Sequence, residues 1–105
     1  MPNIEKVKTY VGFAVRSNKI FYGADAVLAK IRKVKVVLCQ KEINRTSFSN
    51  LKKACLKEKV PMIITQEGEI SQWTHKERCL CIGITEPNLA SALINQYNIG
   101  GNRIE

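Results

Sequence analysis

The chain has 105 residues, which is long enough to bury a core without stabilisation by disulfides or metals. Of these residues 45% are hydrophobic and 25% charged, a composition typical of globular proteins. It lacks the run of roughly 18 apolar residues that a membrane span requires, and its first residues lack the apolar segment of a secretory signal. We therefore expect a cytoplasmic protein. The net charge of +8 combines +10 in residues 1–60 with −2 in residues 61–105. This asymmetry predicts one basic face and a polyanionic partner, unless the lysines only solvate a helix.

Helical and strand patterns alternate along the chain. Apolar residues at intervals of three and four predict helices, and short apolar or β-branched runs predict strands. In chain order we predict a helix over 4–17, a strand over 19–22, a helix over 24–33, a strand over 34–39, a helix from 46 or 47 to 59, a strand over 62–64, a short helix over 69–74, a strand over 79–84 and a final helix from 85. Asn3 and Asn18 are the predicted caps of the first helix.

The run Val34–Cys39 is apolar throughout, which is typical of a central strand buried on both faces. Strands that alternate with helices predict an α/β fold, here a three-layer α/β/α sandwich with a central, mostly four-stranded mixed sheet. No linker interrupts the pattern, so residues 1–105 form a single predicted domain. We expect its tail, residues 100–105, to fray.

The cysteines Cys39, Cys55, Cys79 and Cys81 form no C-x-x-C pair and lie in apolar or helical segments. This placement favours free, buried thiols in a reducing compartment. A zinc site could be written with His75 and three of them, but the spacing matches no known ligand pattern. We therefore predict no metal.

Enzymatic signatures are sparse. His75 is the only histidine and has no partners that would make a catalytic triad. No glycine-rich nucleotide fingerprint follows Gly23. Asp25 and Glu42 are acids at loop ends, where capping and solvation explain a carboxylate more often than acid–base catalysis does. The sequence predicts a protein that is not an enzyme and that needs no cofactor.

Three loops at strand ends carry the remaining chemistry. They are residues 22–25, 40–42 and 75–78. If they gather at one end of the sheet, Gly23 permits a close backbone approach to a ligand. Lys41, Lys76 and Arg78 would then supply phosphate contacts. The alternative for each is structural, with Gly23 a tight turn and the basic side chains merely solvated.

Four segments also carry a family resemblance: residues 12–23 (GFAVRSNKIFYG), 36–39 (VVLC), 60–63 (VPMI) and 76–85 (KERCLCIGIT). In this order they resemble the ribosomal protein L7Ae family, in its small bacterial YlxQ-like branch, and the resemblance covers roughly residues 4–97. It implies an L30e-like α/β/α sandwich that binds kink-turns, which are sharply bent RNA elements with tandem sheared G·A pairs. It also implies a ribosome-associated or RNA-processing protein that could have protein partners in a ribonucleoprotein. We separately expect a monomer.

In that family, the junction of the first strand and second helix reads guanine edges with acidic and amide side chains and holds the RNA backbone with a lysine. Here Asp25 takes the first reading position, whereas Ala26 replaces the second and Ala29 the lysine. Lys30 is one residue further on, about 100° around the helix. The predicted RNA-binding set combines this junction with the basic and polar residues of the loops: Gly23, Ala24, Asp25, Lys30, Lys33, Gln40, Lys41, Lys76, Glu77 and Arg78.

The alternative function is a protein–protein adaptor on the same fold with little RNA affinity. It would use the apolar residues Ile43, Phe48 or Trp73 instead of the basic loops. A lone tryptophan is more often a core anchor than an exposed contact, and the sequence leaves this open for Trp73.

Overall fold

A computed structural model describes residues 3–76, 78–100 and 103–104 of the chain. Within these residues the chain forms five helices and five strands. The helices are α1 (Ile4–Arg16), α2 (Ala24–Ala29), α3 (Arg45–Glu58), α4 (Glu69–Thr74) and α5 (Pro87–Gly100). The strands are β1 (Ile20–Tyr22), β2 (Val36–Gln40), β3 (Met62–Thr65), β4 (Cys81–Ile84) and β5 (Arg103–Ile104). None of the helices in this described part is long and apolar enough to cross a membrane.

The strands form one mixed sheet in the order β1-β4-β2-β3-β5. β2 and β3 are parallel, and the other neighbouring pairs are antiparallel. The four predicted strands and their helices are thus confirmed. The two-residue β5 is an additional edge strand that the sequence did not indicate. The expected fraying concerned residues 100–105, of which Gly101, Asn102 and Glu105 lie outside the described residues.

Helices cover both faces of the sheet, which confirms the three-layer sandwich. One core lies between the sheet and α1, α4 and α5, and a second lies between the sheet and α2 and α3. β2 contributes to both cores, with Val36 and Leu38 in the first and Val37 and Cys39 in the second. All four side chains are fully buried, as expected of a central strand.

Two helix starts depend on asparagine caps. The Asn3 side chain accepts a hydrogen bond from the Lys6 amide (3.2 Å), which confirms the predicted cap of α1. The Asn44 side chain accepts one from the Ser47 amide (2.8 Å), so α3 begins at Arg45, one residue before the predicted start. Each cap satisfies an amide that the helix itself leaves without a partner.

Several predicted boundaries are wrong. β2 begins at Val36 instead of Val34. The second helix ends at Ala29 instead of Lys33, because residues 30–33 turn back towards β2, with the Lys33 amide donating to the Lys30 carbonyl at 2.9 Å. The last predicted strand begins at Cys81 instead of Cys79, since the preceding loop includes Arg78 at φ +63°. A left-handed residue of this kind interrupts extended backbone.

The four cysteines are free and buried, as predicted. In the described ranges, no group of three or more His, Cys, Asp or Glu side chains is arranged to hold a metal ion. Trp73 is 4% exposed and packs in the core beneath α1, α4 and α5. It is therefore a core anchor, which the sequence favoured but left open, and it is not an exposed contact for the alternative adaptor function.

Candidate nucleic-acid interface

The three loops singled out in the sequence, residues 22–25, 40–42 and 75–78, meet at one end of the sheet, which we call the upper edge. In the structure the third loop continues to residue 80, because β4 begins at Cys81. Because β4 is antiparallel to β1 and β2, its beginning lies beside their ends. The Gly23 amide donates to the Cys81 carbonyl (2.7 Å), and the Gln40 amide donates to the Leu80 carbonyl (2.8 Å). The Lys41 amide donates a hydrogen bond to the Thr65 carbonyl at the end of β3 (3.1 Å). These ladder bonds fix the loops relative to one another.

The backbone conformation at position 23 requires a glycine. It lies at φ +87° and ψ 155°, a region that is essentially restricted to glycine. A Cβ added at this position would meet no atom within 4 Å. The turn therefore explains why glycine is present, and the open space above it leaves the backbone approachable by a ligand. The first turn of α2 follows directly and exposes the Asp25 side chain.

Lys76 is held close to this junction by an aromatic ring. The Nζ of Lys76 lies 4.6 Å from the centre of the Tyr22 ring. Tyr22 immediately precedes Gly23 in the chain. Burial, and to a smaller extent the nearby Cys79, raises the pKa of the Tyr22 hydroxyl, so the ring stays neutral under the cation. Such a contact is worth about 0.5–1 kcal/mol at an exposed site. Tyr22 was not among the predicted site residues.

The loop after α4 contains two left-handed residues that are not glycine, His75 at φ +59° and Arg78 at φ +63°. Both side chains are exposed. Strained backbone of this kind costs on the order of 1 kcal/mol per residue and persists only where surrounding contacts hold it. Here the Ser71 hydroxyl donates to the Cys79 carbonyl at 3.2 Å, and Cys79 is buried. Glu77, another predicted RNA-binding residue, lies outside the described residues.

Gln40 has a structural role that corrects its predicted place in the RNA-binding set. It is 1% exposed, and its side-chain carbonyl accepts a hydrogen bond from the Ser71 amide at 3.0 Å. This bond ties the end of β2 to α4. A side chain buried and engaged in this way has no free surface for a ligand, so Gln40 supports the upper edge from beneath.

Lys30 and Lys33 also lie away from the predicted interface. Lys30 caps the C-terminal end of α2, whereas Gly23 is at its N-terminal end. Lys33 precedes β2, whose first residue, Val36, lies at the opposite edge of the sheet from Lys41. The structure therefore brings Gly23, Asp25, Lys41, Lys76 and Arg78 to the upper edge and separates two of the predicted lysines from them.

A shallow groove adjoins the upper edge on its α3 side. Its volume is about 380 Å³, and Ile43, Phe48 and Ile64 form its apolar floor. Lys41 and Arg45 also line it. Two of the three apolar residues predicted for an adaptor surface thus share one groove, and Lys41 belongs both to this groove and to the basic loops.

Comparison with known proteins supports the fold and the family. A solved structure of a protein of unknown function from Bacillus halodurans C resembles this chain with a TM-score of 0.82 at 16% sequence identity, covering 89% of this chain and 97% of that one. At this identity the likeness establishes the fold alone. The search of curated proteins found no match. The model of the ribosomal protein L7Ae/L30e/S12e/Gadd45 family matches residues 5–94. Since this match spans most of the sequence, the chain belongs to the ribosomal protein L7Ae/L30e/S12e/Gadd45 family.

Proposed function

We propose that this protein is a non-catalytic RNA-binding protein that recognises structured, kink-turn-like RNA through its upper edge. The observation that carries the proposal is the convergence of three loops at the upper edge, with a lysine held over the tyrosine that precedes Gly23. Membership of a ribosomal protein family and a net charge of +8 support it. The proposed contacts are Gly23, Ala24, Asp25, Lys41, Lys76 and Arg78.

These residues divide into two roles. The exposed Asp25 carboxylate can accept hydrogen bonds from the amino and imino groups of a guanine, so it would read the base. Lys41, Lys76 and Arg78 would hold backbone phosphates, which position the RNA without reading its sequence. The open space at Gly23 allows the RNA to approach the backbone between these two kinds of contact.

We expect this protein to discriminate in favour of guanine less strongly than a relative that has all the base-contacting side chains. Ala26 and Ala29 lack the polar and charged groups that the family uses on the first turns of α2. Loss of a good base contact removes about 1–3 kcal/mol of discrimination. The phosphate contacts then supply a larger share of the affinity, and binding should fall steeply as salt rises.

The wider setting is proposed on the same basis. We place the protein in the cytoplasm as a monomer, associated with the ribosome or another ribonucleoprotein and related to the YlxQ-like branch. Its four free, buried cysteines are in keeping with a reducing compartment. No step in the proposed binding requires a cofactor.

A titration with two labelled RNAs tests the proposal. Wild-type protein should bind a kink-turn RNA more tightly than a straight duplex of matched length and composition, at low and moderate salt. Asp25→Ala should reduce this preference, whereas Lys41→Ala should weaken binding to both RNAs alike. Lys8→Ala, which changes an exposed lysine on α1, is the matched control for charge. Equal losses for both variants with both RNAs would contradict the division of roles.

A second candidate function, a protein–protein adaptor, is favoured by the groove at Ile43, Phe48 and Ile64. An apolar partner segment would bury this floor, so its binding should be nearly independent of ionic strength. Phe48→Ala should then abolish partner binding and leave RNA affinity unchanged. Partner binding that survives Phe48→Ala, or that falls steeply as salt rises, would decide against the adaptor.

A further inference from the structure

The edge of the sheet opposite Gly23, which we call the lower edge, brings together the C-terminal ends of α2 and α3. Both helices begin after strands that end at the upper edge, and both pack on the same core. α2 ends at Ala29 and α3 at Glu58, just before β2 and β3 begin. Because β2 and β3 are parallel, these two helix ends lie side by side.

A cavity of about 550 Å³ lies between the two helix ends. Four cationic side chains line it: Lys30, Arg32 and Lys33 from the turn after α2, and Lys57 from the last turn of α3. Glu58 is the single acid in its lining, and aliphatic carbons of both helices complete the wall. Because these cations line one concave site, they can act together on a single anion, whereas lysines spread over an open surface cannot.

Nearby negative charge offsets only part of the positive charge of these four residues. Glu58 lies 3.9 Å from the Arg32 guanidinium, and the Arg32 side chain remains 83% exposed. Each helix C-terminus carries roughly half a negative charge. Two helix ends and one carboxylate therefore offset about two of the four positive charges. About two remain, which is enough to attract an anion into the cavity.

We propose that this cavity is a second phosphate-binding site that holds the backbone of the same RNA beyond the element bound at the upper edge. This inference rests on the proposed function. β2 has five residues, so the two edges lie on the order of 16 Å apart, and the longest extent of the molecule is 30 Å. One RNA helix lying along α2 can span this distance. Contacts to phosphate add affinity and salt dependence without adding sequence preference.

The test compares two RNAs and two charge-matched double variants. The RNAs are a kink-turn with short stems and the same kink-turn with one stem extended by a helical turn. Lys30→Gln/Lys57→Gln removes one cation from each helix end, and Lys6→Gln/Lys8→Gln makes the same charge change on α1, across the sheet. All four lysines are exposed, so both variants should fold, and thermal melting of each variant checks this.

Wild-type protein should bind the extended RNA more tightly than the short one. Lys30→Gln/Lys57→Gln should weaken binding to the extended RNA roughly tenfold and reduce its salt slope by about 1.4–1.8, the value for two lost phosphate contacts. Its affinity for the short RNA should change no more than that of the control variant. The control should change both RNAs to the same small extent.

Other outcomes overturn the inference in distinguishable ways. If stem length has no effect, or if both double variants behave alike, the lower-edge site is refuted while the upper-edge function stands. If wild-type protein binds neither RNA, the proposed function fails and this inference fails with it. Inorganic tripolyphosphate serves as a separate probe. If it binds wild type but not Lys30→Gln/Lys57→Gln, and stem length has no effect, the cavity takes a small phosphorylated ligand and not an RNA backbone.

Discussion

Gly83 lies in the middle of β4, on the face that packs against α2. A methyl group added there would come 3.0 Å from Cγ2 of Val34 and 3.2 Å from Cγ2 of Val27. Both valines are almost completely buried, so neither can move aside without disturbing its neighbours. Overpacking of this kind costs about 1–3 kcal/mol. Gly83→Ala should therefore lower the free energy of unfolding by that amount, and the midpoint of thermal unfolding by roughly 4–8 °C per kcal/mol.

The same substitution should affect the site, because Val27 belongs to α2, which begins at Ala24, directly after Gly23. A helix displaced from the sheet carries Asp25 with it. At a temperature where Gly83→Ala is folded, its preference for a kink-turn over a straight duplex should fall more than its affinity for the duplex. Urea titration measures the stability, and the two-RNA titration measures the preference.

Gly12→Ala is the matched control. Gly12 lies inside α1, where an added Cβ would meet only the flexible end of Arg16, at 3.4 Å. Alanine is favoured over glycine in a helix by about 0.5–1 kcal/mol, so this variant should be more stable than wild type. If Gly83→Ala is as stable as wild type, or if both variants shift stability in the same direction, the packing argument is refuted.

Further predictions concern buried groups and caps. Gln40→Leu should destabilise the protein by about 1–3 kcal/mol in urea titration, because the Ser71 amide loses its acceptor. Asn44→Ala should cost about 1 kcal/mol through loss of the α3 cap, with Asn50→Ala on the exposed face as the control. Burial raises the pKa of the Cys55 thiol from 9.0 to about 11, so the folded state holds this proton more tightly than the unfolded state. Stability should therefore fall as pH rises from 9 to 11, and a Cys55→Ala variant should lose stability less steeply over that range.

The order of elements could be predicted because each depends on local periodicity and on a few punctuating residues. The apolar run of β2 identified the central strand, and Asn3 identified the start of α1. The end of α2 was missed because the pattern of apolar residues continues past Ala29. Only the sheet determines where the chain must turn to begin β2 at Val36.

The candidate site was predictable as a set of loops but not as a set of side chains. Alternating helices and strands identified the three loops but left their meeting a condition, and the antiparallel pairing of β4 with β1 and β2 brings them to one end of the sheet. By contrast, the Gln40 contact with Ser71 spans 31 residues, and the Lys76 contact with Tyr22 joins two distant loops. Neither contact has a local signal. Polar residues at strand ends therefore appeared equivalent in the sequence, although one is buried and the others are exposed.

The most direct test of the upper edge as an RNA interface is to map amide chemical-shift changes by NMR when a kink-turn RNA is added. The account predicts that the largest changes occur at Gly23, Asp25, Lys41, Lys76 and Arg78, and that amides in the middle of α1 change little. Changes centred on the groove at Ile43 and Phe48, or none at the upper edge under conditions where the RNA binds, would contradict the account.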